Sequence, residues 1–515
     1  MEKFYITTAI DYPSGPPHLG HAYEKICADA VARWQRLKKK DVFFLTGTDE
    51  HGQKIAKYAQ RAGKNPKEFV DETSQKFIQL CRKLSISNDD FVRTTEERHK
   101  DVARNIFMKI FEKGDIYKGY YEGLYCTDCE TFYLEKELNG ENCPVHKAKV
   151  EKVKEEGYFF RAGQYRERVQ RHIIENPDFL LPGVRRNEVL KRLQGEVKDL
   201  SISRSRVRWG VSLPIDQKHV IYVWFDALIN YISALNYPDG EKFSKYWPAS
   251  LHLIGKDILW FHAFIWPAIL MAADIELPQR MFVHGFINVG KEKLSKSKGI
   301  TIDPLRLIEI YGSDALRYFL LREVSYGKDG DFSEDALIRR INSDLANDLG
   351  NFVYRVLTMV ARYWDEEVPS PGNEEDIDRT LRELCLKTVS EVDKKIDNLQ
   401  FSEALARIWK LIQAANGYIE ETAPWALAKN SADRARLGTV LYWQLEALRF
   451  IATLLFSFIP ASALKIWQQL GMDEELMTDG LDGIKKWGKL KPGRKVKRGE
   501  PLFPRIEAAP VAQPG

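Results

Sequence analysis

Over the first part of the chain, apolar residues fall in short unbroken runs that alternate with stretches of helical period. Residues 4–10 predict a strand. A Pro/Gly-rich turn follows at Tyr12-Pro13-Ser14-Gly15-Pro16-Pro17, and residues 18–37 carry helix spacing. Val42-Phe43-Phe44-Leu45 predicts a second buried strand, which runs into Thr46-Gly47-Thr48-Asp49-Glu50-His51-Gly52. Buried strands separated by helices predict a parallel sheet with crossover connections, a Rossmann-like α/β arrangement. Such sheets take ligands at the carboxyl ends of their strands, and both polar turns fall there.

The pattern breaks near residue 115. Residues 115–213 are rich in charge and hold only short apolar pieces such as Gly157-Tyr158-Phe159-Phe160, which predicts a connective insertion between two halves (1–114 and 214–290) of one sheet domain. Alternation resumes at Val220-Ile221-Tyr222-Val223-Trp224-Phe225-Asp226-Ala227. It continues through Leu251-His252-Leu253-Ile254-Gly255-Lys256-Asp257 and Met281-Phe282-Val283-His284-Gly285. Residues 291–335 lead out of the sheet domain. From 336 to 475 helical spacing dominates, opening with the stripe Leu345, Leu349, Phe352, Val356 and Val360, and this predicts an α-helical bundle. Pro369-Ser370-Pro371-Gly372-Asn373 marks a loop within it. Residues 476–515 read as a basic tail, with residues 508–515 expected to be disordered.

Composition adds little to this picture. A chain of 515 residues with 44% hydrophobic and 29% charged residues is globular and large enough for several domains. A net charge of +4 does not by itself diagnose a nucleic-acid partner. No run approaches the roughly 18–20 apolar residues that span a bilayer, and the N-terminus lacks a signal-peptide core. The expected location is therefore the cytoplasm. Cys27, Cys81 and Cys385 are isolated and read as small buried hydrophobes, whereas Cys126, Cys129 and Cys143 cluster ahead of His146.

Three motifs carry chemistry. Pro17-His18-Leu19-Gly20-His21 sets two histidines three apart at a helix N-terminus, whose free N–H groups and dipole attract phosphate. Alone, the tetrapeptide suits two surface histidines equally well. The second motif is Lys293-Leu294-Ser295-Lys296-Ser297, whose lysines and hydroxyls suit a triphosphate on which charge develops. Read by itself, it is a solvated basic loop. Together, in this order and far apart, the two fit the class I aminoacyl-tRNA synthetase pattern, with Leu294 where the most quoted form of the loop has methionine. The third is Cys126-x2-Cys129-x13-Cys143-x2-His146. Three thiolates and an imidazole are a complete tetrahedral set for one structural zinc ion, the alternative being a redox dithiol at Cys126 and Cys129.

The chain resembles the methionyl-tRNA synthetase family from Phe4 to Glu507. The likeness rests on Asp11-Tyr12, His18-Leu19-Gly20-His21, the 47–52 turn, the zinc knuckle, Tyr222 to Ala227, Ile254 to Asp257, Val283-His284-Gly285, the lysine loop and Pro501 to Glu507. The resemblance implies methionine activation by ATP with Mg²⁺, then transfer to tRNA(Met). It places His18, His21, Lys293 and Lys296 in catalysis, and Gly20, Gly255, Asp257, Ser295 and Ser297 on ATP. Methionine would lie among Ile10, Tyr12, Asp49, Trp224, Ala227, Tyr231 and His284, where a thioether finds aromatic walls and an ammonium finds a carboxylate. Leu228 stands where the family often has proline. The anticodon falls to Asn351 and Arg355, four apart on one helix face, and to Trp425, a surface on which an unstacked base can lie.

Rival readings are another class I synthetase (for cysteine or a branched aliphatic amino acid), a nucleotidylyltransferase, and a zinc-dependent RNA-binding protein retaining a synthetase shell. The 515 residues scarcely accommodate an editing insertion. The zinc knuckle lies inside the insertion, unlike the substrate-pocket zinc of the cysteine enzyme. A nucleotidylyltransferase would not require the helical domain, and a decayed shell should have lost part of His18, His21, Lys293 and Lys296. Family members often carry a further tRNA-binding domain after the closing segment. A monomer is expected here, with or without a separate tRNA-binding protein.

Overall fold

The computed structural model describes residues 1–126, 131–133, 138–144, 147–289, 292–293, 302–472 and 478–507. The expected disorder of residues 508–515 lies outside these. At the centre is a six-stranded, all-parallel sheet. Three strands come from the N-terminal segment: β1 (Lys3–Thr8), β2 (Asp41–Thr48) and β3 (Asp90–Arg93). The spatial order is β3, β2, β1, then Leu251–Gly255, Met281–His284 and Leu180–Leu181. The chain thus builds outward from β1 on one side and later returns to its other flank. The order reverses between β1 and Leu251–Gly255, which makes that crevice the expected ligand site of a parallel sheet.

Leu180–Leu181 lies within the stretch that the sequence assigns to an insertion, yet it adds the sixth strand by pairing with Met281 and Phe282. Two residues are too few to carry a period. The antiparallel part of the insertion is a separate four-stranded sheet, ordered Thr131–Tyr133, Ile116–Cys126, Glu151–Phe160, Leu200–Ser201.

The first crossover is α1 (Leu19–Leu37). It packs on β1 and β2 on one side, and on the Ser313–Glu323 and Asp376–Asp397 helices on the other. Being covered on both sides, it buries charges as well as apolar residues, and each has a partner. Asp29 pairs with Arg317 at 2.7 Å, both wholly inaccessible. Arg317 also donates to the carbonyls of Leu84, Ser457 and Phe458. One guanidinium therefore joins the sheet domain to the bundle, and removing either partner would strand a buried charge.

The bundle comprises a helical run from Glu334 to Trp364, then Asp376–Asp397, Phe401–Thr422, Arg434–Leu455 and Pro460–Gln469. The expected stripe of Leu345, Leu349, Phe352, Val356 and Val360 is fully buried. Arg434–Leu455 is buried without interruption from Leu437 onward, and the charges it buries, Glu446 and Arg449, pair with each other at 2.6 Å. The basic segment folds back onto this bundle, burying Leu481, Ile484, Leu490 and Val496. Its backbone bonds to Glu366, Val368 and Gln469. Among the described residues no helix is long and apolar enough to cross a membrane.

Candidate active site

Two loops meet at the carboxyl edge of the sheet. The Asp11 N–H donates to Gly47 O, and the Asp49 N–H donates back to Asp11 O, both at 2.8 Å. The Tyr12 hydroxyl donates to His51 O at 2.9 Å. Beneath them Lys25 of α1 forms a buried ion pair with Asp11 at 2.5 Å. Burial opposes its charge, but Asp11 together with Cys81 and Glu24 outweighs that and raises the lysine pKa. The turn of Ile10, Asp11 and Tyr12 and the turn of Asp49 and His51 are thereby held side by side as one wall of the carboxyl edge.

His18 is the N-cap of α1, and its N–H donates to Nδ1 of His21 at 2.9 Å. The two rings stack with centroids 3.7 Å apart. Because Nδ1 of His21 is the acceptor, the proton of its neutral ring sits on Nε2. A Cβ on Gly20 would come within 3.1 Å of the His18 ring, so the glycine lets that ring lie over the first turn. Lys293 ends a short strand paired with Ile287–Val289. Ser295, Lys296 and Ser297 lie outside the described residues.

Gly255 closes its strand so tightly against the next turn that a Cβ would stand 2.7 Å from Asp257 Oδ1. His284 ends the neighbouring strand, paired in register with Gly255. Its Nδ1 donates to Gly285 O at 2.8 Å, and its Nε2 faces Glu24 at 3.5 Å. Burial pulls the His284 pKa down, but Glu24, the Gly285 carbonyl and Asp257 together more than offset this and the net shift is upward. Glu24 also accepts the Ala9 N–H at 2.7 Å, tying α1 to the end of β1.

The other wall comes from Val223–Leu228 and Asn230–Ser233. Trp224 lies flat on Phe261, with centroids 4.0 Å apart and planes 4° from parallel. Tyr231 is fully buried, packs its ring 4.3 Å from His252, and bonds Nε2 of His262 at 2.8 Å. Phe261 and His262 are therefore the direct neighbours of Trp224 and Tyr231, and the sequence reading passed over them. Their signal was the Phe-His pair four residues beyond Asp257, which looked like ordinary core in an aromatic run. His284 stands among Glu24, Tyr23 and Tyr326 instead.

A buried carboxylate links the two walls. Asp226 accepts from His51 Nδ1 at 2.6 Å and from His99 Nε2 at 2.9 Å. Burial alone would push its pKa up, but the two imidazoles hold it well below the usual carboxylate range. His51 belongs to the Asp49 loop and Asp226 to the helix of Trp224 and Ala227, so the clamp fixes the distance between the walls.

In the insertion, Cys126 and Cys143 are buried together with Val150 in a small core of their own. Cys129 and His146 lie outside the described residues. Among the described residues no group of three or more possible metal ligands occurs. In the bundle Asn351 is exposed, and Arg355 pairs with Glu420 at 2.6 Å. Trp425, 40% exposed, follows that glutamate's helix directly.

Residues 4–155 and 137–357 match the family described as tRNA synthetases class I (M), and residues 368–513 match the anticodon binding domain of methionyl tRNA ligase. The methionine–tRNA ligase of Caldanaerobacter subterraneus is 51% identical over 511 residues, covering 98% of this chain and 80% of that protein. That of Thermotoga maritima is 47% identical, covering 98% and 81%. A solved Mycobacterium tuberculosis methionyl-tRNA synthetase in complex with methionyl-adenylate superimposes with a TM-score of 0.94. It is 42% identical and covers 98% of this chain and 100% of that one.

Proposed function

This chain belongs to the methionyl-tRNA synthetase family, and from that premise we propose how its residues carry out the reaction. Methionine is activated with ATP to methionyl-adenylate, and the methionyl group passes to tRNA(Met). In the first step a carboxylate oxygen of methionine bonds to the α-phosphorus, the bond from that phosphorus to the bridging oxygen breaks, and pyrophosphate leaves. In the second, a terminal ribose hydroxyl of tRNA attacks the carbonyl carbon and AMP departs. Neither step needs a covalent enzyme intermediate; positioning and charge neutralisation suffice.

The reversal of strand order between β1 and Leu251–Gly255 carries this reading, because parallel sheets bind ligands in the crevice at such a point, where the turn from β1 to the two stacked histidines and the strand ending in Gly255 both emerge. His21 offers its Nε2 proton to the phosphates and His18 lies against the same oxygens. Lys293 and Lys296 neutralise the departing pyrophosphate, with Ser295 and Ser297 on the same phosphates and Mg²⁺ arriving with the nucleotide. Gly20, Gly255 and Asp257 hold the nucleoside. Asp49 takes the methionine ammonium, while Ile10, Tyr12, Trp224, Ala227 and Tyr231 enclose its side chain and His284 lines the far end.

Cys126, Cys129, Cys143 and His146 would hold one structural zinc ion. Two buried thiols in a core as small as theirs fit that donor set, since so little apolar area cannot hold that end of the insertion unaided, whereas Ile116, Tyr158 and Phe160 anchor its other end in the main core. The ion would brace the insertion and take no part in the reaction. In the bundle, Asn351, Arg355 and Trp425 read the anticodon.

ATP–pyrophosphate exchange across all amino acids, followed by charging of tRNA with and without a methionine anticodon, tests this reading. Exchange with methionine and charging confined to its anticodon are expected. Preferential exchange with another amino acid would overturn it.

A further inference from the structure

The basic segment is the one conspicuous sequence feature that this chemistry leaves unused. Half of its cations from Lys485 to Arg498 are already engaged: Lys485 with Asp482, Lys489 with Asp479 and Lys495 with Glu367, while Arg494 donates to Gly471 O. Like Lys486 and Lys491, Lys497 and Arg498 stand outside these pairs. Both are exposed, and among the described residues neither has an ion-pair partner. They line two adjoining hollows. The larger, about 490 Å³, also receives Lys465 and Gln468 from the Pro460–Gln469 helix. The smaller runs from Arg498 to Tyr354 and Gly350 on the helical run that bears Asn351 and Arg355. Tyr354 is 41% exposed, and the Arg498 guanidinium lies over its ring at 5.5 Å.

We propose that this groove is a second RNA-binding surface, which holds a nucleotide flanking the anticodon by stacking on Tyr354 and holds its phosphates through Lys465, Lys497 and Arg498. An exposed aromatic beside a guanidinium is what an unstacked base needs, and it is tolerant of base identity. Cations without carboxylate partners give up no ion pair when they take phosphate, so their charge is available for counterion release. Tyr354 lies one helical turn from Asn351 on the exposed side of the same helix. A loop whose bases reach Asn351, Arg355 and Trp425 can therefore continue across that helix into the groove. Glu500 is the one carboxylate in the lining and leaves the groove net positive. The proposal rests on the anticodon assignment, but it predicts a different kind of loss.

The test uses the full chain with a tRNA(Met) transcript and a second transcript of altered anticodon. Lys497→Glu/Arg498→Glu and Lys465→Glu should each raise the KM for tRNA about 10-fold. Each should also flatten the salt dependence by about one unit per cation lost. Both transcripts should suffer equally, and methionine-dependent exchange should stay at the wild-type rate. Tyr354→Ala should raise the tRNA KM about 5-fold or more, and Tyr354→Phe should restore it. A tRNA KM within twofold of wild type in the charge reversals overturns the groove, as does a parallel fall in exchange. Asn351→Ala, Arg355→Ala and Trp425→Ala are read separately. If they leave discrimination between the two transcripts intact, the anticodon assignment fails, whatever the groove variants do.

Discussion

The phenol of Tyr231 donates its proton to Nε2 of His262, 2.8 Å away, and the geometry leaves no other direction for it. Nδ1 of His262 faces the Ile258 carbonyl at 3.1 Å and must carry the ring proton. Burial pushes the His262 pKa down to about 4, so the ring is neutral and Nε2 is bare. One backbone oxygen thus orients the hydroxyl of a residue assigned to the methionine pocket.

His262→Ala should therefore raise the KM for methionine about 10-fold while barely moving the KM for ATP, since it leaves a buried hydroxyl without its acceptor. The pH behaviour follows from the depressed pKa. The unfolded chain binds a proton at this site below pH about 6.5, whereas the folded protein does so only below about 4. His262 thus contributes stability that is full above pH 6.5 and lost as pH falls toward 4. Buried His252, its pKa pushed well down by burial and by His262, adds to the same slope. Urea denaturation from pH 4 to 8 measures it, and His262→Ala should flatten the curve.

Asp226→Ala should cost about 3–5 kcal/mol of stability, because it leaves His51 and His99 buried without their shared acceptor. In Asp226→Asn one of the two imidazoles loses its acceptor. That variant should fold, with the larger kinetic loss in methionine affinity, since the clamp joins the Asp49 loop to the helix of Trp224. Chemical denaturation together with separate KM values for methionine and ATP decides this.

Lys296→Ala should lower the exchange rate about 10²–10³-fold, the cost of removing one donor to developing charge. Its melting temperature should match that of the wild type. Exchange near the wild-type rate would remove Lys296 from the site.

The purified protein should contain one zinc ion per chain, measured by atomic emission. Cys126→Ser and Cys143→Ser should each lose it, because a structural site does not tolerate a missing ligand. Proteolysis should then open the insertion first.

Much of the site is legible as text because its residues act through local geometry. His18-Leu19-Gly20-His21 is one turn of helix, and a glycine between two imidazoles has its meaning within four residues. The 47–52 turn and Gly255-Lys256-Asp257 likewise lie at strand ends, where the alternation of apolar runs predicts them. The bundle stripe from Leu345 to Val360 is a matter of period alone. His262 escaped because its role depends on Tyr231, thirty-one positions away, which reaches it only through packing.

The sequence by itself determined the parallel α/β class, the helical bundle and the motifs of the crevice, since period and short-range spacing encode them. Only the tertiary structure decided that Asp226 ties His51 to His99. It also decided that Leu180–Leu181 completes the central sheet, that Arg317 joins Asp29 to the bundle, and that the basic segment is packed rather than trailing. Those relationships join residues tens to hundreds of positions apart. A buried charge or a two-residue strand has no period of its own, and it acquires a partner only when distant elements are pressed together.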